Sequence, residues 1–411
     1  MDYFVHRNHT LKKIKGESQL ELKKKSVFWN KNLLLVFGVT LMAVLGVSSI
    51  SPIFPVLIKE FGISESQVGL LITFFTLPGV ILTPLFGILA DRYGRKKILI
   101  PSLLLFGIAG FFCGFSKNFS ILLLLRFFQG IGAASLGALN VTIIGDLFYS
   151  EDRVKAMGYN ASVLNIGTAV YPSIGGALSL LGWNFPFFLP ILAIPIGLLA
   201  LFLLEDKSVR NDESIKDYFF NLIKSVRNVK IILLFLSGLS TFIILYGVHL
   251  SYFPFLASHN FGLSPFLAGL LMSGMSFTTA LASSQLGKLG NKFNVRNLLI
   301  FSYLFYTLSL ILTPFMQKAW QLLLPIIIFG MGHGINIPSI QTMIAELAPS
   351  EYRGALMSLN GMILRLGQTL GPLIMGLLYT FGGVNIVYFS GAIFAIGIFF
   401  LLLSLFNLHK T

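Results

Sequence analysis

Twelve apolar stretches run through this chain, each roughly 18–25 residues and so long enough to cross about 30 Å of hydrocarbon as a helix. They lie near 32–58, 66–90, 97–115, 119–146, 155–181, 184–204, 231–256, 265–287, 297–315, 319–346, 354–381 and 384–407. Inside a bilayer every backbone N–H and C=O must find its partner within the protein, which leaves helices as the natural way to use such stretches. The expected fold is therefore an all-α polytopic membrane protein. Composition agrees: 55% of the residues are hydrophobic and 11% charged, where about 25% charged is usual for soluble proteins.

The polar segments divide the chain. Residues 1–31 form a basic tail, 32–204 a first set of six spans, 205–230 a charged linker, 231–407 a second set of six, and 408–411 a short tail. The first 30 residues hold no apolar core of the kind a cleaved signal peptide carries, so the run that starts near Leu33 is expected to be retained as a span. If both termini are cytoplasmic, all but five of the 30 Lys and Arg fall on the cytoplasmic side. Lys59, Lys117 and Lys318 lie outside, and Arg126 and Arg365 lie within spans. This asymmetry is what membrane insertion selects, so the net charge of +14 implies no nucleic-acid partner. The single cysteine, Cys113, excludes an internal disulfide and a cysteine-rich metal site.

A repeat at a constant offset of 200 organises the spans. Ser150-Glu151-x-Arg153 returns as Ser350-Glu351-x-Arg353, and Met157, Asn160, Leu164, Gly167, Pro172 and Gly176 return as Met357, Asn360, Leu364, Gly367, Pro372 and Gly376. Phe61-Gly62, Gly69, Gly87 and Gly130-x-Gly132 likewise match Phe261-Gly262, Gly269, Gly287 and Gly330-x-Gly332. Two parallel six-helix halves, related by an axis along the membrane normal, follow from such a repeat and place a binding site between them near the midplane.

Gly87-Ile88-Leu89-Ala90-Asp91-Arg92-Tyr93-Gly94-Arg95-Lys96-Lys97 resembles the first signature of the major facilitator superfamily, in the loop between spans 2 and 3. The resemblance implies twelve helices, alternating access, and a cytoplasmic latch made by Asp91 and Arg95. Read as residues alone, the loop is a topology anchor whose Gly94 permits a tight turn. Its C-terminal copy has Asn291, Asn294 and Val295, so the charged latch is lost there. Asp146 and Glu346, equivalent positions at the ends of spans 4 and 10, are expected to pair with Arg153, Arg353 or the basic loops as part of the same inner gate.

Arg126-Phe127-Phe128-Gln129-Gly130-Ile131-Gly132 is similar to the superfamily's span 4 motif. A membrane arginine costs about 2.5–3.5 kcal/mol on insertion scales, so it must be compensated. Arg126, Gly130, Ala133, Gly137 and Asn140 share a helix face that can line a cavity; the alternatives are snorkelling, or bonds to internal carbonyls. In span 5, Gly158, Gly167 and Tyr171-Pro172-x-x-Gly175-Gly176 resemble the motif of the drug-antiporter group, with Tyr171 where the pattern has glycine. Span 11 carries Gly367-x-x-x-Gly371-Pro372. These glycines and prolines are expected to form pliable, closely packed helices between the halves.

No phosphate-cradling Gly-x-x-x-x-Gly-Lys-Ser/Thr or His-Glu-x-x-His occurs, and Gly130-x-Gly132 and Gly330-x-Gly332 lie within spans, where helix packing explains them. No enzyme activity, cofactor or metal is expected, and a proton gradient is the expected energy source. No Asp or Glu sits deep in a span. His249 and His333, which titrate near neutral pH, are then candidates for coupling, or else hydrogen-bonded packing residues. Arg126 and Arg365, with Gln129, Asn140, Asn336 and Gln368, complete the substrate candidates, and a field set by two arginines suits a neutral or anionic amphiphile. The expectation is a monomeric, proton-coupled exporter of amphiphilic drugs or metabolites in the cell membrane, its partners the lipid bilayer and a small-molecule substrate. The alternatives are an importer or facilitator of a small metabolite such as a sugar or organic anion, and a receptor that transports nothing.

Overall fold

The computed structural model describes residues 27–204, 228–347 and 353–408. The basic tail up to residue 26, most of the linker, residues 348–352 with Ser350 and Glu351, and residues 409–411 lie outside the described residues.

Ten helices are long and apolar enough to cross a membrane. They are α1 (Lys31–Phe61), α2 (Leu70–Tyr93), α3 (Arg95–Cys113), α4 (Phe119–Leu147), α6 (Phe185–Leu203), α7 (Val229–Phe261), α8 (Pro265–Ser284), α9 (Val295–Phe315), α10 (Ala319–Leu347) and a final stretch within Arg353–Leu408. That last stretch is two helices, α11 (353–381) and α12 (384–408), because Gly382 and Gly383 break it with non-helical torsions. The 29-residue α5 (Ser150–Leu178) has the length to span but is more polar than the others. Twelve helices of membrane length result among the described residues.

Their ends follow local chemistry. Asn30, Asn118 and Asn228 side chains accept backbone N–H groups at the starts of α1, α4 and α7, satisfying donors that a helix start leaves open. Gly62 and Gly262 end α1 and α7 in the left-handed region, at φ 61° and 62°. Such a cap favours glycine, and the two caps are mates at the offset of 200.

The repeat extends to contacts. Gly130 on α4 packs on the Phe75 backbone of α2, and Gly330 on α10 packs on Met275 of α8. Gly132 meets the Ser102 carbonyl of α3, and Gly332 meets that of Ser302 on α9. A Cβ at any of these four would overlap a neighbour, so small residues set the spacing.

α1–α6 and α7–α12 meet along two seams, α2 with α11 and α5 with α8. In the first, Gly376 packs on Ser66 and Gly69 on Pro372; in the second, Gly176 packs on Pro265 and Phe266, and Gly269 on Pro172. Each contact is the other's counterpart at the constant offset. All lie toward one face of the molecule, opposite the α2–α3 loop with Arg92, Arg95, Lys96 and Lys97, here termed the basic face. Near that opposite face Ser51 of α1 also donates to the Leu250 carbonyl of α7, which has no helical N–H to accept because residue 254 is proline. Glu65 lies 3.4 Å from His259 across the same boundary.

Toward the basic face the seams part. Gly87 and Gly158 each lie 18 residues, about five turns, from Gly69 and Gly176 and so on the same helix faces, while Gly287, at the same separation from Gly269, lies just past α8 in the short helix Leu286–Phe293. A Cβ at any of the three would meet nothing within 4 Å, and Gly361 of α11 is equally open. The two sets of helices therefore touch at one face and stand apart at the other.

Candidate functional site

Arg126 is 1% exposed, in the packing of α1, α2 and α4. Its Nε donates to the Leu71 carbonyl at 3.2 Å, one terminal nitrogen to Gln129 Oε1 at 2.7 Å and the other to the Gly46 carbonyl at 2.8 Å. The guanidinium also lies 4.2 Å from the centre of the Phe75 ring. α1 tightens just beyond Gly46: the Ile50 N–H bonds to Val47 instead of continuing the i−4 pattern, leaving the Gly46 carbonyl for Arg126. Bonding to internal carbonyls is thus how this charge is compensated. Gln129 is buried beside it.

Asn140 and Asn336 are tethers inside their own sets. Asn140 donates to Thr40 of α1 at 2.9 Å. Asn336, fully buried, donates to Ser302 of α9 at 2.7 Å and accepts from Thr241 of α7 at 2.8 Å. Neither shares a partner with Arg365.

The two histidines are brought together. His249 lies in a π-helical stretch of α7, Ile243–Leu250, a widened turn of the kind common at functional sites. Its ring stacks on Phe253 and Phe329, 5.0 Å from each. The buried Nε2 of His249 has no hydrogen-bond partner among the described residues. His333 on α10 also stacks on Phe329, and its Nδ1 is 2.8 Å from the Tyr306 hydroxyl of α9. Tyr306 was not among the residues the sequence singled out; an aromatic in an apolar span carries no local signal.

Arg365 of α11 is half-buried and donates to Gln368 Oε1 at 3.2 Å. Its place in the α2–α11 seam is set by register. From the closed face inward come Gly376 on Ser66, Pro372 on Gly69, then the Thr73 hydroxyl donating to the Thr369 carbonyl at 3.1 Å and the Thr76 and Thr369 hydroxyls 2.9 Å apart. Next is Arg365 against Gly79, where a Cβ would come within 3.3 Å of its Cδ. One turn further, Gly361 is open. Arg365 therefore sits where the closed seam ends and the opening begins. On α7, Tyr246 stacks on Phe242 with ring centres 5.6 Å apart.

The loop residues form a cluster on the basic face. Gly94 turns at φ 101°, and Arg95 ion-pairs with both Asp91 and Asp146, at 3.0 Å from the latter. These partners all lie in α2–α4. Arg92 is exposed. Arg153 bonds the Gly145 and Phe148 carbonyls at 2.7 and 2.9 Å, capping the end of α4 rather than pairing with Asp146. In the C-terminal copy Val295 replaces Arg95, and Glu346 is exposed on a cleft of about 610 Å³ that Lys292 and Arg296 also line. The Arg353 side chain lies outside the described residues.

The remaining motif residues fall on packing surfaces. Gly167 and Gly175 lie against α1, Gly367 and Gly371 against α7, and Pro172 and Pro372 on the two seams, while Gly158 faces open space.

Similarity to known proteins extends over the whole helical region. Quinolone resistance protein NorA of Staphylococcus aureus is 27% identical over 358 residues, covering 85% of this chain and 90% of that one. Multidrug resistance protein 1 of Bacillus subtilis is 26% identical over 379 residues, covering 90% and 95%. Among solved structures, the nucleoside transporter NupG superposes with a TM-score of 0.76 at 15% identity, covering 92% of this chain and 99% of that one. The human organic anion transporter MFSD10 does so with 0.69 at 17%, covering 90% and 99%. The profile of the Major Facilitator Superfamily matches residues 36–259 and 243–411, nearly all of both sets of helices, and the chain belongs to that family.

Proposed function

We propose that this member of a transporter family is a secondary active transporter of the plasma membrane that exports amphiphilic compounds in exchange for protons. The observation that carries the reading is the pair of symmetry-related seams, closed at one face and parted at the other. Because the two seams are built alike, rocking one set of helices against the other exchanges which face is open, which is alternating access around a midplane site. With the Lys- and Arg-rich face in the cytoplasm, the described state is open to the cytoplasm. The names of the bacterial relatives, resistance to quinolones and to multiple drugs, favour export of drug-like amphiphiles.

We assign the proton to His333. None of the 16 Asp and Glu lies deep in a span, whereas an imidazole can both take up and release a proton. In the tautomer protonated at Nε2, neutral His333 accepts at Nδ1 from the Tyr306 hydroxyl; protonated His333 must donate there, so in that case the hydroxyl has to turn. Protonation in this way changes packing between α9 and α10, with His249 alongside. Purified protein in liposomes, with an imposed pH gradient, a labelled amphiphile and an internal pH dye, tests both parts. Wild type should move protons and solute in opposite directions, and His333→Gln should bind solute but lose proton movement. Solute flux without proton movement in the wild type would sink the coupling, and an unaltered His333→Gln variant would remove its assignment.

A further inference from the structure

We infer that Arg365 and Gln368 form the recognition point for a carboxylate on the transported molecule, so that the preferred substrates are amphiphilic acids rather than lipophilic cations. This rests on the proposal that a solute passes through the opening between the two sets of helices. Four observations converge. Arg365 is the innermost residue of the open side: beyond it the seam is sealed by Thr369 on Thr73 and Thr76, and before it Gly361 meets nothing within 4 Å. A molecule entering from the basic face thus reaches this guanidinium where the passage ends.

Second, the charge has no counter-ion among the described residues. Arg365 shares no ion pair with an acidic side chain among the described residues; the one side-chain acceptor it engages is the neutral amide of Gln368. Arg126 shows the contrast. That guanidinium is fully enclosed, with each of its three nitrogens bonded to an acceptor in its own set of helices, which leaves nothing for a ligand. A half-buried guanidinium keeps a planar fork of donors, and a carboxylate matches it with two parallel bonds.

Third, the Arg365 position differs between the halves in the way a single recognition point requires. At the offset of 200, Arg365 and Gln368 correspond to Asn165 and Thr168 on α5. Both are half-buried, and Thr168 bonds the Asn165 carbonyl. The framework is repeated while the charge is not, so of these two equivalent positions only the one on α11 is positive. Fourth, Phe242 and Tyr246 of α7 stack on each other and are partly exposed, with Phe242 packed on Gly367, two residues along α11 from Arg365, and they offer an aromatic surface for the apolar part of the same molecule. A lipophilic cation would meet positive charge here with no carboxylate to offset it.

Binding is measured with the full chain in phosphatidylcholine nanodiscs at pH 7.5, using three fluorescent or radiolabelled probes: pyrenebutyrate, its methyl ester and tetraphenylphosphonium. The wild type should prefer the acid over the ester by about 10- to 100-fold, the range of a charge-assisted bidentate contact. Arg365→Gln should bring acid and ester to equal affinity while leaving ester binding unchanged, which also reports that the variant is folded. Arg365→Lys keeps the charge without the fork, and its acid preference should fall several-fold without vanishing; it carries the test where the glutamine variant does not fold. Equal wild-type affinity for acid and ester, tighter binding of the cation than of the acid, or an Arg365→Gln variant that still prefers the acid would overturn the assignment. No gradient is applied, so a failure of proton coupling leaves this result intact, and a failure here leaves coupling untouched.

Discussion

Gly269 on α8 offers the sharpest test of the seams. A Cβ added there would lie 2.7 Å from the Pro172 carbonyl carbon and 3.2 Å from the Ser173 nitrogen. These are backbone atoms of α5, so no side-chain rotation relieves the overlap. Carbon atoms pack at about 3.5–4.0 Å, and α5 and α8 must therefore part by close to 1 Å. Overpacking of this kind costs about 1–3 kcal/mol, and the cost falls only on states in which this seam is closed. Gly269→Ala should accordingly shift the equilibrium away from the state open at the basic face by about 5- to 150-fold. The lone Cys113 is buried, so a Cys113→Ser background with a single reporter at Gly361→Cys is practical. Labelling of the reporter by a membrane-impermeant maleimide from the basic face should slow in the Gly269→Ala background. Unchanged labelling in a stably folded variant would refute the claim that Gly269 and Pro172 hold this face shut.

Gly158→Leu is the complementary perturbation, because Gly158 faces open space in the described state. The melting temperature should be preserved, while transport falls by more than tenfold as closure of the basic face is blocked; full transport activity would count against Gly158 lying on a closing surface. Arg126→Ala strands the Gly46 carbonyl and removes the cation from the Phe75 ring, and should cost about 3–5 kcal/mol of stability, read as a lowered melting temperature in detergent. Arg126→Lys should recover part of that loss, and a melting temperature indifferent to both changes would contradict the network described.

Much of the frame was legible in the sequence. Hydrophobic length gave the helices, and a gapless offset of 200 paired them, because two copies of one helical arrangement keep their small residues where backbones cross. Gly69 and Gly269, or Gly132 and Gly332, were visible as mates before their contacts were known. The assignment of charged residues was less legible. Arg126 and Arg365 look alike in sequence, each a lone cation in an apolar span followed three residues later by glutamine. Their environments differ because Arg126 meets a carbonyl released where α1 tightens, whereas Arg365 stands at the end of a seam. Tyr306 and the π-helical turn of α7 had no local signature, since both arise from how α7, α9 and α10 pack.

Sequence by itself therefore determined that this chain enters a bilayer, that it is built of helices of membrane length, which loops carry the positive charge and which residues repeat. Each of these depends on composition and spacing, quantities fixed along the chain. Tertiary structure decided which face of the seams is closed, which arginine is enclosed and which borders the opening, and that His249, Phe329, His333 and Tyr306 form one cluster. Those depend on the relative position of helices far apart in sequence, where a difference of a single turn decides whether a polar side chain finds a backbone carbonyl or faces open space.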